Sequence, residues 1–324
     1  PFMTCNGIVL PDLRWKPVAY EVKAAYCPVR FSRPEIWSAW QTSHAFDRFL
    51  LRNDCLELPL SAFFCIGAVR ENGVVIAEQE ISLPCLQAGQ KQEINVSIPH
   101  EKKAGCTYTI EFSVRRKEAT FYAEAGEEIG LFQFDLESGP AAEDVPVVCD
   151  APVYTQTAEE LVLDAAGTQL RFDLRTGHLS SLSKNGVTYL TDGFSPCFDR
   201  PYTGLDAQKG WGWYAEYETI RTQSFVCGTP QILTGESQIL IEIPFFQKKQ
   251  TAPPIGGKMV YTLRGDGVLS VRADFHFDRS YAAVLRAGLE CITADGFEKL
   301  SYFGRGAQES YCDRLLSTPL AVYE

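Results

Sequence analysis

The sequence predicts an all-β protein built from two tandem sandwich domains. Twenty Phe, fourteen Tyr and five Trp stand against only two Met, a usage that suits pleated, half-buried surfaces. Short runs of alternating apolar and polar residues recur between turn signals at the spacing of a sandwich, and no helical period persists beyond a turn or two. A length of 324 residues allows roughly two domains, each large enough to bury a core.

The elements follow in order. Residues 1–23 do not read as the start of a domain: Asn6-Gly7, Pro11-Asp12 and Lys16-Pro17 punctuate them before a short amphipathic stretch from Val18 to Ala25. From residue 24 to 140 strands are expected at Phe49–Leu51, Ala62–Val69, Val74–Ala77, Glu93–Ile98, Thr107–Val114 and Leu131–Leu136. Glu71-Asn72-Gly73 marks a hairpin, because Asn-Gly tolerates the positive φ of a type I′ turn. About seven to nine strands in such a stretch suit an immunoglobulin-like sandwich. Residues 141–157, rich in Pro, Ala and acidic side chains, read as a linker. A second β-rich domain spans 158–324, with strands at Leu161–Asp164, Leu170–Leu174, Leu179–Leu182 and Gln238–Pro244, then Lys258–Leu263, Val268–His276 and Ala287–Ile292.

Composition narrows the function classes. A formal net charge of −11 opposes a nucleic-acid footprint, which needs clustered Lys and Arg. No apolar run approaches the roughly 20 residues of a membrane span, and no basic n-region with an apolar h-region opens the chain. Eleven cysteines are scattered without a C-x-x-C pair or zinc-ligand spacing. Several lie in apolar runs where a free thiol acts as a small hydrophobe, so reduced thiols and a cytoplasmic location are expected.

Three motifs stand out. Asn6-Gly7-Ile8-Val9-Leu10-Pro11-Asp12 leads to Lys16-Pro17-Val18-Ala19-Tyr20-Glu21-Val22-Lys23; Phe172-Asp173 precedes Thr176-Gly177-His178-Leu179; and Tyr302-Phe303-Gly304-Arg305-Gly306 is followed by Glu309, Tyr311 and Asp313-Arg314. In this order they resemble the non-catalytic back half of the multidomain β-galactosidases of glycoside hydrolase family 2. The last motif is the most specific, with nine positions matched in thirteen; Ala307 replaces the usual Pro and Ser310 the usual Asn.

The resemblance implies a particular layout. Residues 1–23 would be the tail of a (β/α)8 barrel, 24–140 the fourth, immunoglobulin-like domain, and 158–324 the opening part of a fifth domain, a galactose-mutarotase-like β-super-sandwich. A retaining glycosidase needs two carboxyl groups about 5–5.5 Å apart, and the resemblance places both in the barrel upstream of Pro1. No catalytic residue is therefore expected in this chain, which would serve as accessory domains of an enzyme acting on terminal β-D-galactosides. Its implied partners are that upstream barrel, galactosides and further copies of the parent. No cofactor is expected in this chain, with Na⁺ and Mg²⁺ as the ions the full-length parent could bind.

Individual residues carry two readings each. Asn6 matches a family position whose amide oxygen binds Na⁺, a donor suited to a hard cation, yet Asn-Gly is also an ordinary turn dipeptide. Arg200, Asp206 and Trp211 lie in a loop that in the family approaches the active-site mouth, where aromatic faces stack on sugars and charges bind hydroxyls. The same residues suit an Arg–Asp pair and a Trp that fills a sandwich edge. Arg305, Glu309, Asp313 and Arg314 read better as a structural ion-pair network between domains than as catalytic groups, since Arg keeps a carboxyl ionised. His44, His100, His178 and His276 share no ligand spacing, and Glu124, Glu127 and Glu128 read as a solvated turn. Two other functions remain open: a stand-alone carbohydrate-binding module with Trp211 to Tyr214 as a platform, and an aldose mutarotase, although fold alone does not supply its His and Glu.

Overall fold

The computed structural model describes residues 7–34, 46–141, 149–201, 224–247, 255–278 and 286–324, with Glu218, Ile220 and Val284 besides. Its regular secondary structure is almost entirely strand, as the period-two patterning dictates. Chain contacts divide it into two compact units, one of residues 5–144 with 299–324, the other of 145–298 with 1–4.

In the first unit an α-helix, α1 (Pro17–Ala25), leads into β1 (Val29–Ser32). Pro17 at its first position suits the helix start, where a missing N–H costs nothing. Then follow β2 (Arg48–Asn53), β3 (Phe63–Glu71), β4 (Val74–Ile81), β5 (Lys91–Asn95), β6 (Tyr108–Arg116) and β7 (Glu128–Asp135). They form a three-stranded sheet, β1-β2-β5, and a four-stranded sheet, β4-β3-β6-β7, the two-layer plan of an immunoglobulin-like sandwich. The inward faces meet in a core of Phe31, Phe49, Leu51, Cys65, Phe112 and Val114 among others. Phe31 stacks on Phe112 at 4.3 Å between ring centroids, and Phe49 meets Phe112 edge-on at 4.8 Å.

The second unit contains β8 (Val153–Gln156), β9 (Glu160–Ala165), β10 (Thr168–Asp173), β11 (His178–Lys184), β12 (Val187–Cys197), β13 (Phe225–Cys227), β14 (Gln231–Thr234), β15 (Gln238–Gln247), β16 (Ile255–Arg264), β17 (Leu269–Phe277) and β18 (Gly288–Thr293). A six-stranded sheet runs β18-β12-β11-β10-β9-β8, and a five-stranded one runs β13-β15-β16-β17 with β14 also on β15. Leu161, Leu163, Leu170 and Phe172 from the first pack on Ile241, Phe245, Tyr261 and Leu263 from the second. Their alternation produces this: β9 and β15 bury every second residue.

Two features depart from the sequence reading. The stretch 141–157 is not all connector, because Val153–Gln156 pairs with β9 in register Val153↔Asp164; its outward side chains are all exposed, so no apolar alternation announced the strand. The C-terminal stretch forms a hairpin, β19 (Tyr302–Arg305) and β20 (Leu320–Tyr323), that packs with the first unit although it follows the second in sequence. The Asn72-Gly73 turn has φ of 47° and 85° and Asn185-Gly186 has 52° and 80°, the left-handed pair of a type I′ hairpin.

Candidate functional site

Of the residues singled out as substrate or ion contacts, Asn6, Asp206 and Trp211 lie outside the described residues, as do Trp213, Tyr214 and His44. Arg200 is half-buried just beyond β12 and donates from Nη1 to the Pro201 carbonyl at 3.0 Å. The chain reaches it from a firm anchor. Phe198 is buried with Ile220 and Ile255, and its ring meets Phe225, Phe275 and Phe277 at 5.4–5.5 Å.

The C-terminal motif is a built structure. Arg314 pairs with Glu309 at 2.9 Å and covers the Tyr311 ring at 4.9 Å. Arg305 does not join that pair: its Nη1 donates to the Thr318 carbonyl at 3.0 Å. The network expected at a seam between domains thus reduces to one ion pair and one backbone contact, both within the first unit. The Tyr323 hydroxyl donates toward the Gly306 and Pro319 carbonyls, each at 2.8 Å. Glu21 of α1 accepts from the N–H groups of Leu316 and Ser317 at 3.1 and 2.9 Å. Burial pushes the Glu21 carboxyl up, but the hydrogen bonds from Ser317 and Leu316 together outweigh it and hold the group below its ordinary value.

The histidines are dispersed. His100 sits 2.8 Å from the Ile98 carbonyl, while His178 places Nε2 at 3.6 Å from the Cys227 thiol, a neighbour no spacing rule foretold. Burial pushes that thiol up to about 11, which keeps it protonated and a poor nucleophile or metal ligand. Among the described residues no group of three or more His, Cys, Asp or Glu could hold a metal ion. Glu124 and Glu127 are exposed in the β6–β7 turn, whereas Glu128 begins β7 and accepts from the Ser113 hydroxyl at 2.7 Å. Every described carboxyl whose titration is displaced is displaced downward: Glu21, Glu71, Glu137, Asp173, Asp266 and Glu298. A glycosidase acid requires the opposite displacement.

One concavity went unnoticed in the sequence. A cleft of about 940 Å³ in the first unit is lined by Arg30, Arg33, Arg48 and Arg52 on one side, by β7, and by Arg305 and Leu315 of the C-terminal stretch. The signal was the alternation Arg48-Leu50-Arg52 on the outer face of β2, opposite the buried Phe49 and Leu51.

A family model for the β-galactosidase small chain matches residues 164–324, and another for β-galactosidase domain 4 matches residues 49–137. The chain belongs to the β-galactosidase family. The β-galactosidase of Priestia megaterium is 26% identical over 324 residues, covering 98% of this chain and 30% of that protein. That of Psychromonas ingrahamii is 24% identical, covering 98% and 31%, and that of Streptococcus thermophilus is 24% identical, covering 98% and 29%. The chain therefore spans about 30% of the length of these curated relatives. The β-galactosidase domain 4 match falls on β2 to β7 of the first sandwich, and the small-chain match runs from β9 through the β19–β20 hairpin. No helix among the described residues is long and apolar enough to cross a membrane.

Proposed function

We propose that the chain supplies accessory β-sandwich domains to a β-galactosidase that hydrolyses terminal β-D-galactosides by double displacement, the acid and nucleophile being contributed by an upstream barrel. The observation that carries this reading is the tandem match to domain 4 and the small chain in a polypeptide spanning about 30% of its relatives. Glu21, Glu71, Glu137, Asp173, Asp266 and Glu298 are displaced downward, away from the raised value a glycosidase acid needs, which is in keeping with this reading for those six groups. In the parent, Arg200, Asp206 and Trp211 would shape the mouth of the galactose pocket. The Asn6 amide oxygen would serve Na⁺ at the barrel rim, and no step proposed for this chain uses that ion. Contacts with further copies of the parent, in the cytoplasm, complete the proposed role.

The test is turnover of a chromogenic galactoside. The purified 324-residue chain is expected to show none above buffer, while the polypeptide encoded by the whole reading frame hydrolyses it. Turnover by the chain alone, free of contaminating enzyme, defeats the reading.

A further inference from the structure

The outer face of the three-stranded sheet holds more positive charge than its carboxylates neutralise. Period two on β2 sends Phe49, Leu51 and Asn53 into the core and leaves Arg48, Leu50 and Arg52 outside. The β1–β2 register sets Arg30 directly opposite Arg52 and Ser32 opposite Leu50. Like charges directly opposite on a sheet are unfavourable. Here one carboxylate serves both, with Asp54 Oδ2 at 3.4 Å from Arg30 Nε and 2.7 Å from Arg52 Nη2. Arg48 has Glu93 at 2.5 Å.

Across the cleft, Arg305 donates to the Thr318 carbonyl and has no carboxylate within ion-pair distance among the described residues. Among the described residues Asp135 is the single acidic side chain of the lining. Counting it with Asp47, whose charge also acts on Arg33, and with Asp54 and Glu93, five arginines stand against four carboxylates among the described residues, in a chain whose net charge is −11. Arg33 is committed to the wall: it donates to the carbonyls of Phe46, Arg48 and Asp135 and lies over the Phe49 ring at 4.3 Å. Arg30 also donates to the Ala25 carbonyl, and Arg52 meets Asp54 through both Nε and Nη2. Each of these guanidinium groups, like those of Arg48 and Arg305, still has N–H donors beyond the ones so engaged. The same lining includes the apolar side chains of Leu50, Leu131, Phe132, Phe134 and Leu315.

We propose that this cleft binds a small anion that carries a carboxylate or phosphate group on an apolar body. A planar guanidinium matches the paired oxygens of either group. The volume of about 940 Å³ falls within the roughly 300–1,000 Å³ of small-molecule sites. The apolar side chains of the lining take the body of the ligand, and the guanidinium donors select an anion over a neutral sugar. This site shares no described residue with the loop of Arg200, and its existence does not depend on the β-galactosidase role.

Calorimetric titration of the 324-residue chain at fixed ionic strength, so that general screening stays constant, tests the proposal. Phenyl phosphate, phenylacetate, inorganic phosphate and galactose are the probes. Saturable binding is expected for phenyl phosphate or phenylacetate, and whichever is tighter identifies the headgroup. Inorganic phosphate should bind at least several-fold more weakly than phenyl phosphate, and galactose not at all. Arg48→Gln and Arg52→Gln should each weaken binding by about tenfold. Both side chains are half-exposed, so the fold should survive, which thermal melting verifies; if one variant fails to fold, the other carries the comparison. Absence of saturation with both aromatic anions below about 10 mM, or affinity unchanged in the folded variants, overturns the proposal.

Discussion

Gln133 of β7 holds both backbone polar groups of Leu320 in β20. Its Oε1 accepts from the Leu320 N–H at 2.7 Å, and its Nε2 donates to the Leu320 carbonyl at 2.8 Å and to Glu111 Oε1 at 2.9 Å. Glu111, 5% exposed, in turn faces Arg70 Nε at 2.9 Å. A primary amide is suited to this task because it offers a donor and an acceptor side by side. Through it a strand from the end of the chain is tied to a sheet laid down some two hundred residues earlier.

Replacing Gln133 by Leu keeps the bulk and removes both bonds, leaving the Leu320 groups and part of Glu111 without partners. Unsatisfied groups of this kind cost about 1–3 kcal/mol each when buried. We expect the variant to lose about 2 kcal/mol in denaturant unfolding of the first unit, with faster amide hydrogen exchange at Leu320–Tyr323. Unchanged exchange there would show that the hairpin is held by other contacts alone.

Glu21 ties α1 to the same C-terminal stretch, and its contribution depends on pH. Because the folded carboxyl titrates below its ordinary 4.5, the stabilisation is complete above that value and disappears as pH falls through the lowered folded value. Glu21→Gln removes the charge. The variant should melt below the parent chain at pH 7, and the difference should shrink as the pH is taken progressively below 4.5. A gap in melting temperature that stays constant down to full protonation would mean that the carboxylate charge is not what Leu316 and Ser317 require.

Much of the fold was readable because burial and periodicity coincide. Phe49–Leu51, Thr107–Val114 and Leu170–Leu174 alternate cleanly, and each became a strand with every second side chain in a core. Strands that bury nothing gave no such signal. Tyr302 and Phe303 of β19 and Val153 and Tyr154 of β8 remain exposed, so their strand character comes from pairing with a neighbour that a local window does not contain. The cleft was hidden for a related reason. Arg30 and Arg52 are twenty-two positions apart in sequence, and only the β1–β2 register brings them face to face. The family resemblance was readable because its anchors are local runs, such as Tyr302 to Arg314, whereas the contacts those runs make are not.

The two Asn-Gly hairpins offer a matched comparison between backbone conformation and packing. Gly73 and Gly186 share nearly the same φ, 85° and 80°, so an alanine at either position meets the left-handed penalty of about 1–2 kcal/mol. Their surroundings differ. A Cβ on Gly186 would meet nothing within 4 Å, but one on Gly73 would lie 2.6 Å from Phe303 Cδ2 and 2.7 Å from the Ala321 carbonyl carbon. The Phe303 ring can turn aside; the β20 backbone cannot do so without displacing the hairpin. Gly73→Ala should therefore destabilise the first unit by at least about 1 kcal/mol more than Gly186→Ala destabilises the second. It should also raise protease sensitivity between Lys299 and Glu324, which Gly186→Ala leaves unchanged. Equal losses in the two variants would mean that β19 and β20 do not rest on the Asn72-Gly73 turn in solution.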